Sequence, residues 1–321
     1  MRGPCRPMLS HSPIPRELFG YKVIDRLGEG AASVVYAVMD KSRQVLALKH
    51  VVRRAEKDQR FIDQIKQEYD IGSKLDHRNI RAIHRFVKNQ KSVLGIATGP
   101  VSDAALVMEM IDSSTLESDD RPSAAKIARY FAQAARGLAH MHERGFVHAD
   151  MKPSNMMVND DGTVKVIDLG QACAAGSRKE RIQGTPGYIA PEQAFKEEIV
   201  PVTDVYNLGA TLYWVLVRGN IPCALPAGET NPDMRVKPSL IRMPRPLHET
   251  DPRVPEEFSD LVLGCIQVRP ESRIASMDLV ADRLDAIADR CERTGAGKAL
   301  EGPAGMGTAP DRRLDSQSTK G

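Results

Sequence analysis

Residues 148–155 read HADMKPSN, and the rest of the chain takes its meaning from this stretch. A histidine, an aspartate two places on, a lysine two beyond it and an asparagine three further form a compact polar set in one short loop. The spacing looks like that of a phosphate-handling site. Position 149, where a charged residue is expected, holds an alanine. What the loop can do depends on the segments around it.

The chain has 321 residues, enough for one large domain or two smaller ones sharing a core. Apolar residues at 41% and charged residues at 27% are ordinary for a soluble globular protein. A net charge of +3, from 45 basic and 42 acidic residues, argues against a nucleic-acid surface or a polybasic membrane anchor. Cys5, Cys173, Cys223, Cys265 and Cys291 are scattered, odd in number and free of any CxxC pair. That speaks for a reducing compartment and against a disulfide framework or a zinc knuckle. The longest apolar run, LYWVLV at 212–217, is far below the roughly 18 residues a membrane span requires. The N-terminus carries arginines but no continuous apolar stretch, unlike a signal peptide, so a cytoplasmic address is expected.

Working outward from 148–155, residues 1–17 are expected to be flexible, being rich in proline and serine, and the glycine-rich tail 293–321 to be disordered. The folded unit is placed at 18–292. Its first part favours strands: YKVIDRL (21–27), SVVYAVMD (33–40) and QVLALKHVV (44–52) are β-branched and separated by polar turns. DQRFIDQIKQEYDIGSKL (58–75) changes period, with Phe61, Ile62, Ile65, Tyr69 and Leu75 on one helical face. The connection KNQKSVLGIATGPVSD (88–103) reads as a surface hairpin before a last strand, AALVMEM (104–110). Past residue 123 the chain turns helical. Ile127, Phe131, Ala134, Leu138 and Met141 mark a buried helix, and 202–217 is apolar nearly all round. Eight prolines make 221–256 irregular, and 257–267 and 276–291 read as closing helices.

Three other segments carry groups suited to phosphate. In LGEGAASVV (27–35), Gly28 and Gly30 allow a tight turn whose N–H groups can approach phosphate oxygens, although a strand, not a helix, follows. Lys49 stands in the middle of an apolar strand and needs a partner, which Glu68 on the next helix can supply while holding the lysine against ligand phosphates. VKVIDLG (164–170) ends a strand in Asp168, which with Asn155 makes an oxygen-ligand pair for Mg²⁺. Each alone is matched by a bland reading: a plain hairpin, a snorkelling lysine, a turn aspartate.

Taken together with GTPGYIAPE (184–192), their order resembles that of the eukaryotic-type protein kinases over about residues 20–290. The resemblance implies an α+β, bilobal fold: a small antiparallel β-sheet lobe with one helix (18–110) and a larger, mostly helical lobe (111–292). It implies transfer of the γ-phosphoryl group of ATP, with Mg²⁺, to protein serine or threonine hydroxyls. Asp150 corresponds to the catalytic base, Lys152 to the lysine on the transferring phosphoryl group, and Asn155 and Asp168 to the metal ligands. Lys49 and Glu68 correspond to the ion pair on the α- and β-phosphates. Gly28, Gly30 and Ser33 form the phosphate loop. Met108 aligns with the gatekeeper, the backbones of Glu109 and Met110 with the adenine contacts, and Thr115 with a ribose contact. Val35, Ala47 and Met157 would sandwich the ring. Glu192 and Arg273 match a paired glutamate and arginine, and Asp204 the aspartate bracing the catalytic loop. Lys152 together with GTPGY resembles the serine/threonine group, in which Thr185 bonds near Asp150 and Lys152. The alternative is a pseudokinase, a nucleotide-binding scaffold. A small-molecule phosphotransferase is disfavoured by Glu192, Asp204 and Arg273. Protein substrates and a regulatory protein partner are the expected associates.

Four departures stand out. Ser33 replaces a glycine and Leu169 a phenylalanine, both mild. Ala149 replaces the arginine that in the family binds a phosphate on the activation loop, so activity without loop phosphorylation is expected; Ser177 is the sole hydroxyl residue in 171–183. Gly72 replaces a large apolar residue, leaving a gap that Met108 is expected to fill in part, with a mobile Glu68 helix as the consequence; alternatively Ile71 takes the place.

Overall fold

The computed structural model describes residues 14–30, 32–93, 96–116, 122–221 and 243–295. The expectations for the first thirteen residues, for the tail from 296 and for 222–242 of the proline-rich stretch lie outside the described residues.

The first lobe is a six-stranded antiparallel sheet in the order β1-β2-β3-β4-β6-β5. Its strands are β1 (Glu17–Leu18), β2 (Tyr21–Glu29), β3 (Ser33–Met39), β4 (Val45–Val52), β5 (Ile83–Val93) and β6 (Ile96–Glu109). The period of two decides what each face carries. Ala47 and Val51 of β4 pack with Ala104, Leu106 and Met108 of β6 under helix α1 (Gln59–Gly72). Leu46 and Leu48 point the other way, onto Val38, Ala105 and Val107. Lys49 shares the face of Ala47 and Val51, so its side chain is delivered to α1. Helix α1 answers with buried Ile62, Ile65, Glu68, Ile71 and Gly72 at three-to-four spacing. Phe61 and Tyr69 are half-buried on the same cluster.

The hairpin expected within 88–103 exists, but as the outer part of two long strands; β6 runs unbroken from Ile96, with register shifts against β5 between Ile83 and Arg85 and around Gln90. Gly72 also differs from expectation. A Cβ there would lie 2.4 Å from Ile83 Cδ1, so Ile83 at the start of β5 occupies the space. Neither Met108 nor Ile71 is the filler, and the glycine marks close helix–strand packing rather than a gap.

The second lobe is built on α2 (Ala124–Glu143), capped by the Ser123 hydroxyl, which accepts from Lys126 N–H. Against α2 lie α4 (Pro201–Val217) and α7 (Met277–Thr294). Proline at N1 starts α4 at no hydrogen-bond cost. Short elements complete the lobe: β7 (Ser114–Thr115), β8 (Phe146–Val147), β9 (Met156–Val158), β10 (Val164–Val166), β11 (Cys173–Ala174), β12 (Ser177–Arg178), α3 (Pro191–Ala194), β13 (Glu198–Ile199), α5 (Leu247–Thr250) and α6 (Glu256–Cys265). The closing helices thus fall within a few residues of their expected bounds. No helix among the described residues is long and apolar enough to cross a membrane.

Because Ile83 already fills the space beside Gly72, Gly72→Leu should overpack the junction and destabilise by about 1–3 kcal/mol. Chemical denaturation should show this loss, and Ile83→Ala should recover part of it.

Candidate active site

The loop 148–155 leaves β8 and enters β9 as irregular backbone, so its polar groups must be answered from elsewhere. Asp204, fully buried in the first turn of α4, does this. Its two carboxylate oxygens accept the N–H groups of His148 (2.9 Å) and Ala149 (2.8 Å), and the His142 ring bonds the first of them at 2.8 Å. Burial acts to raise the Asp204 pKa, but the His142 bond, the nearby histidines and the His148 amide outweigh it and hold it low. Ala149 adopts φ +61°, the left-handed region an alanine rarely takes. The Asn155 side-chain amide donates to Asp150 O (2.8 Å), closing the loop on itself, and its Oδ1 has no hydrogen-bond partner among the described residues.

Asp150, almost buried, accepts a hydrogen bond from the Thr185 hydroxyl at 2.8 Å. Lys152 Nζ donates to that hydroxyl at 3.0 Å and lies 3.2 Å from the other Asp150 oxygen. On the facing side Lys49 Nζ stands 2.8 Å from Glu68 and 2.8 Å from Asp168. Burial opposes the Lys49 charge, yet the two carboxylates outweigh it and raise the pKa, so the ammonium is retained. Burial likewise acts against the Asp168 carboxylate, and the lysine overrides it, holding Asp168 at about 2. Glu68 is pushed up by its own burial against the pull of Lys49. Gly30, Ser33, Lys49, Asp150, Lys152 and Asp168 line one cleft of about 320 Å³.

Asp168 sits at φ +61°, with only one oxygen engaged by Lys49. Among the described residues no cluster of three or more histidine, cysteine or acidic groups could hold a metal. Mg²⁺ needs only one or two protein oxygens besides phosphate and water, and the free oxygens of Asn155 and Asp168 fit that demand. Val35, Ala47, Met108 and Met110 pack in one apolar group of the first lobe, while Met157 pairs with Thr115 between β9 and β7 of the second. The Gly30 N–H bonds Ser33 O at 2.7 Å, and a Cβ at Gly28 would meet open space.

Glu109 is more heavily used than expected. Its N–H donates to Ala82 O, its carbonyl accepts from Arg81 Nε (3.0 Å), and its carboxylate takes Ala82 N–H and Lys165. A ligand could share that carbonyl only through its second lone pair. Among the described residues the main chain at Met110 and Ile111 has no backbone partner, which adds Ile111 to the residues available to a ligand edge. Other site residues escaped sequence reading. Gln64 and Gln67 of α1 donate to Gly170 O and Ala172 O, and Gln193 donates to Ala149 O. For the first two, the polar side of α1 three residues apart was the sole signal.

The chain matches the protein kinase domain description over residues 21–284. It belongs to the eukaryotic-type protein kinase family. It is 30% identical to the serine/threonine-protein kinase PknL of Mycobacterium tuberculosis over 84% of this chain and 66% of that relative. It is 29% identical to PknA of the same organism over 80% and 58%, and 28% identical to a probable serine/threonine-protein kinase of Clostridium acetobutylicum over 83% and 40%. It therefore spans roughly 40–66% of the length of these relatives.

Among protein kinases its departures are accommodated locally. Leu169 is buried in the core of the helical lobe, and Ala149 is covered by Cys173, Val147 and Ile199. Glu192 and Arg273 form a fully buried bidentate pair at 2.6 and 2.7 Å, with Thr203 donating to Glu192. Removing one partner strands a charge without water. Arg273→Leu should cost about 3–5 kcal/mol in urea denaturation, and adding Glu192→Gln should cost less than the two single losses summed.

Proposed function

We propose that the chain is an active serine/threonine protein kinase, transferring the γ-phosphoryl group of ATP to hydroxyls of protein substrates. The observation that carries this reading is the convergence of Lys49–Glu68–Asp168 and Asp150–Thr185–Lys152 on one cleft. Lys49, kept charged by its two carboxylates, holds the α- and β-phosphates beside Gly28, Gly30 and Ser33. Asp168 and Asn155 would hold Mg²⁺, which when bound would neutralise phosphate charge. Asp150 orients the acceptor hydroxyl and takes its proton as the new O–P bond forms and the bond from the γ-phosphorus to the β,γ-bridging oxygen breaks, with ADP as the leaving group; the Thr185 bond fixes the carboxylate plane. Lys152 offsets charge on the transferring group. Catalysis then rests on positioning and charge, with no covalent intermediate on the protein.

Val35, Ala47 and Met157 would hold the adenine ring, Met108 would stand beside it, and the backbone of Glu109 and Met110 and the Thr115 side chain would offer polar contacts to its edge and ribose. Serine/threonine preference is supported by Lys152 and Thr185 standing together. Independence from loop phosphorylation is supported by Ala149 and by strand pairing of Ser177 with Ile199 in β12–β13, a backbone tie that uses no phosphate. Cys173, Cys265 and Cys291 are buried free thiols, and burial pushes Cys265 up to about 12, which keeps it protonated and unreactive; the cytoplasmic address rests on the scattered cysteines alone.

The test is phosphate transfer from labelled ATP with Mg²⁺ to a generic basic protein. Wild type should label serine or threonine, and Asp150→Asn should lose roughly 10²–10⁴-fold. ATP binding without transfer by wild type would favour the scaffold reading. Ser177→Ala and phosphatase-treated protein should keep wild-type turnover; loss in either would refute phosphorylation independence.

A further inference from the structure

Gln193 follows Glu192 in the turn that opens α3, and its amide is buried with 5% of the residue exposed. A buried amide has to satisfy both ends. Its Oε1 accepts from Ala190 N–H (2.9 Å) and from Asn207 Nδ2 (2.9 Å). Its Nε2 donates to Ala149 O (2.7 Å) and, more weakly, to Gln183 O (3.4 Å). Two donors face one end and two carbonyls the other, so a flipped amide would lose every contact.

The two carbonyls are not equivalent surface groups. Ala149 is the residue before Asp150, and its left-handed φ of +61° is one that an alanine rarely keeps unless neighbours hold it there. Asp204 holds its N–H, and Gln193 holds its C=O. Gln183 precedes Thr185 by two residues, and Thr185 is the group bonded to both Asp150 and Lys152. Between them, Gly184 runs at φ +120°, and a Cβ there would stand 3.3 Å from Gln193 Nε2. One amide therefore reaches the main chain behind Asp150 and the backbone leading to its hydroxyl partner.

We propose that Gln193 is a positioning residue that locks the Asp150 loop to the Gln183–Thr185 segment without a phosphate. This rests on the proposed function, in which Asp150 is the base and loop phosphorylation is dispensable. It supplies the link that the arginine–phosphate contact would provide where position 149 is an arginine. The difference is that this link is present as soon as the chain folds.

Gln193→Glu keeps size and both acceptor contacts while losing both donations; Gln193→Met loses all four. In steady-state assays both should lower kcat at least tenfold and leave KM for ATP within twofold. In amide hydrogen exchange on the nucleotide-free proteins, both should exchange faster at Gln183–Thr185 and at Asp150. Adding Ala149→Gly to Gln193→Met should recover part of kcat, because glycine takes the left-handed φ without being held. Unchanged kcat, unchanged exchange in these segments, or a kcat loss explained by the unfolded fraction alone would overturn the proposal. Should wild type itself prove inactive, the proposed function fails, yet the exchange comparison still decides whether Gln193 holds the two segments. If Gln193→Met does not fold, Asn207→Ser loosens the amide from its acceptor side and carries the same readouts.

Discussion

An ammonium group buried between two carboxylates organises this molecule. Lys49 sits 2.8 Å from Glu68 and 2.8 Å from Asp168; Glu68 is buried and depends on the lysine, while Asp168 stands at the solvent-exposed end of the group. The lysine is supplied by the middle strand of the sheet, the glutamate by α1, and the aspartate by the turn after β10 of the other lobe. Burial favours the neutral form of Glu68, and the lysine opposes it. The ion group thus couples the docking of α1 to the placement of the segment that carries Asp168. Glutamines 64 and 67 add neutral bonds along the same seam, reaching Gly170 and Ala172.

A second constraint concerns backbone, not side-chain charge. The loop 148–155 cannot satisfy its own N–H and C=O groups, and Ala149 and Asp168 both take left-handed φ. Helices α3 and α4 answer with Gln193 and Asp204, the one accepting nothing from the loop and donating to it, the other accepting two of its amides. The pair Glu192–Arg273 anchors α3 beside them, with Thr203 tying it to α4. Catalytic geometry here is a product of buried polar bonds from a rigid helical lobe, where each is protected from competing water.

Much of the fold was legible because periodicity is a local property. The alternation in β4 assigns Ala47, Lys49 and Val51 to one face, and the spacing of Ile62, Ile65 and Glu68 assigns a helix that can meet it. Pairing is not local: that β6 continues back to Ile96 through the glycine and polar residues of 96–103 depends on β5 lying alongside. Gly72 misled for the same reason. Its side-chain deficit looked like a gap until Ile83, eleven residues on, proved to be the group that occupies it.

The order of chemistry-bearing residues along the chain was enough to identify the family and to name Lys49, Glu68, Asp150, Lys152, Asn155 and Asp168, since those positions are set by residue type and spacing. Which groups hold them in place was decided by tertiary structure. Gln193 is one glutamine among many until folding buries it against Ala149 O and Gln183 O, and Glu109 is an ordinary strand end until Arg81 and Lys165 converge on it. A buried hydrogen bond depends on distance and on the exclusion of water, and neither is written in the neighbouring residues of a sequence.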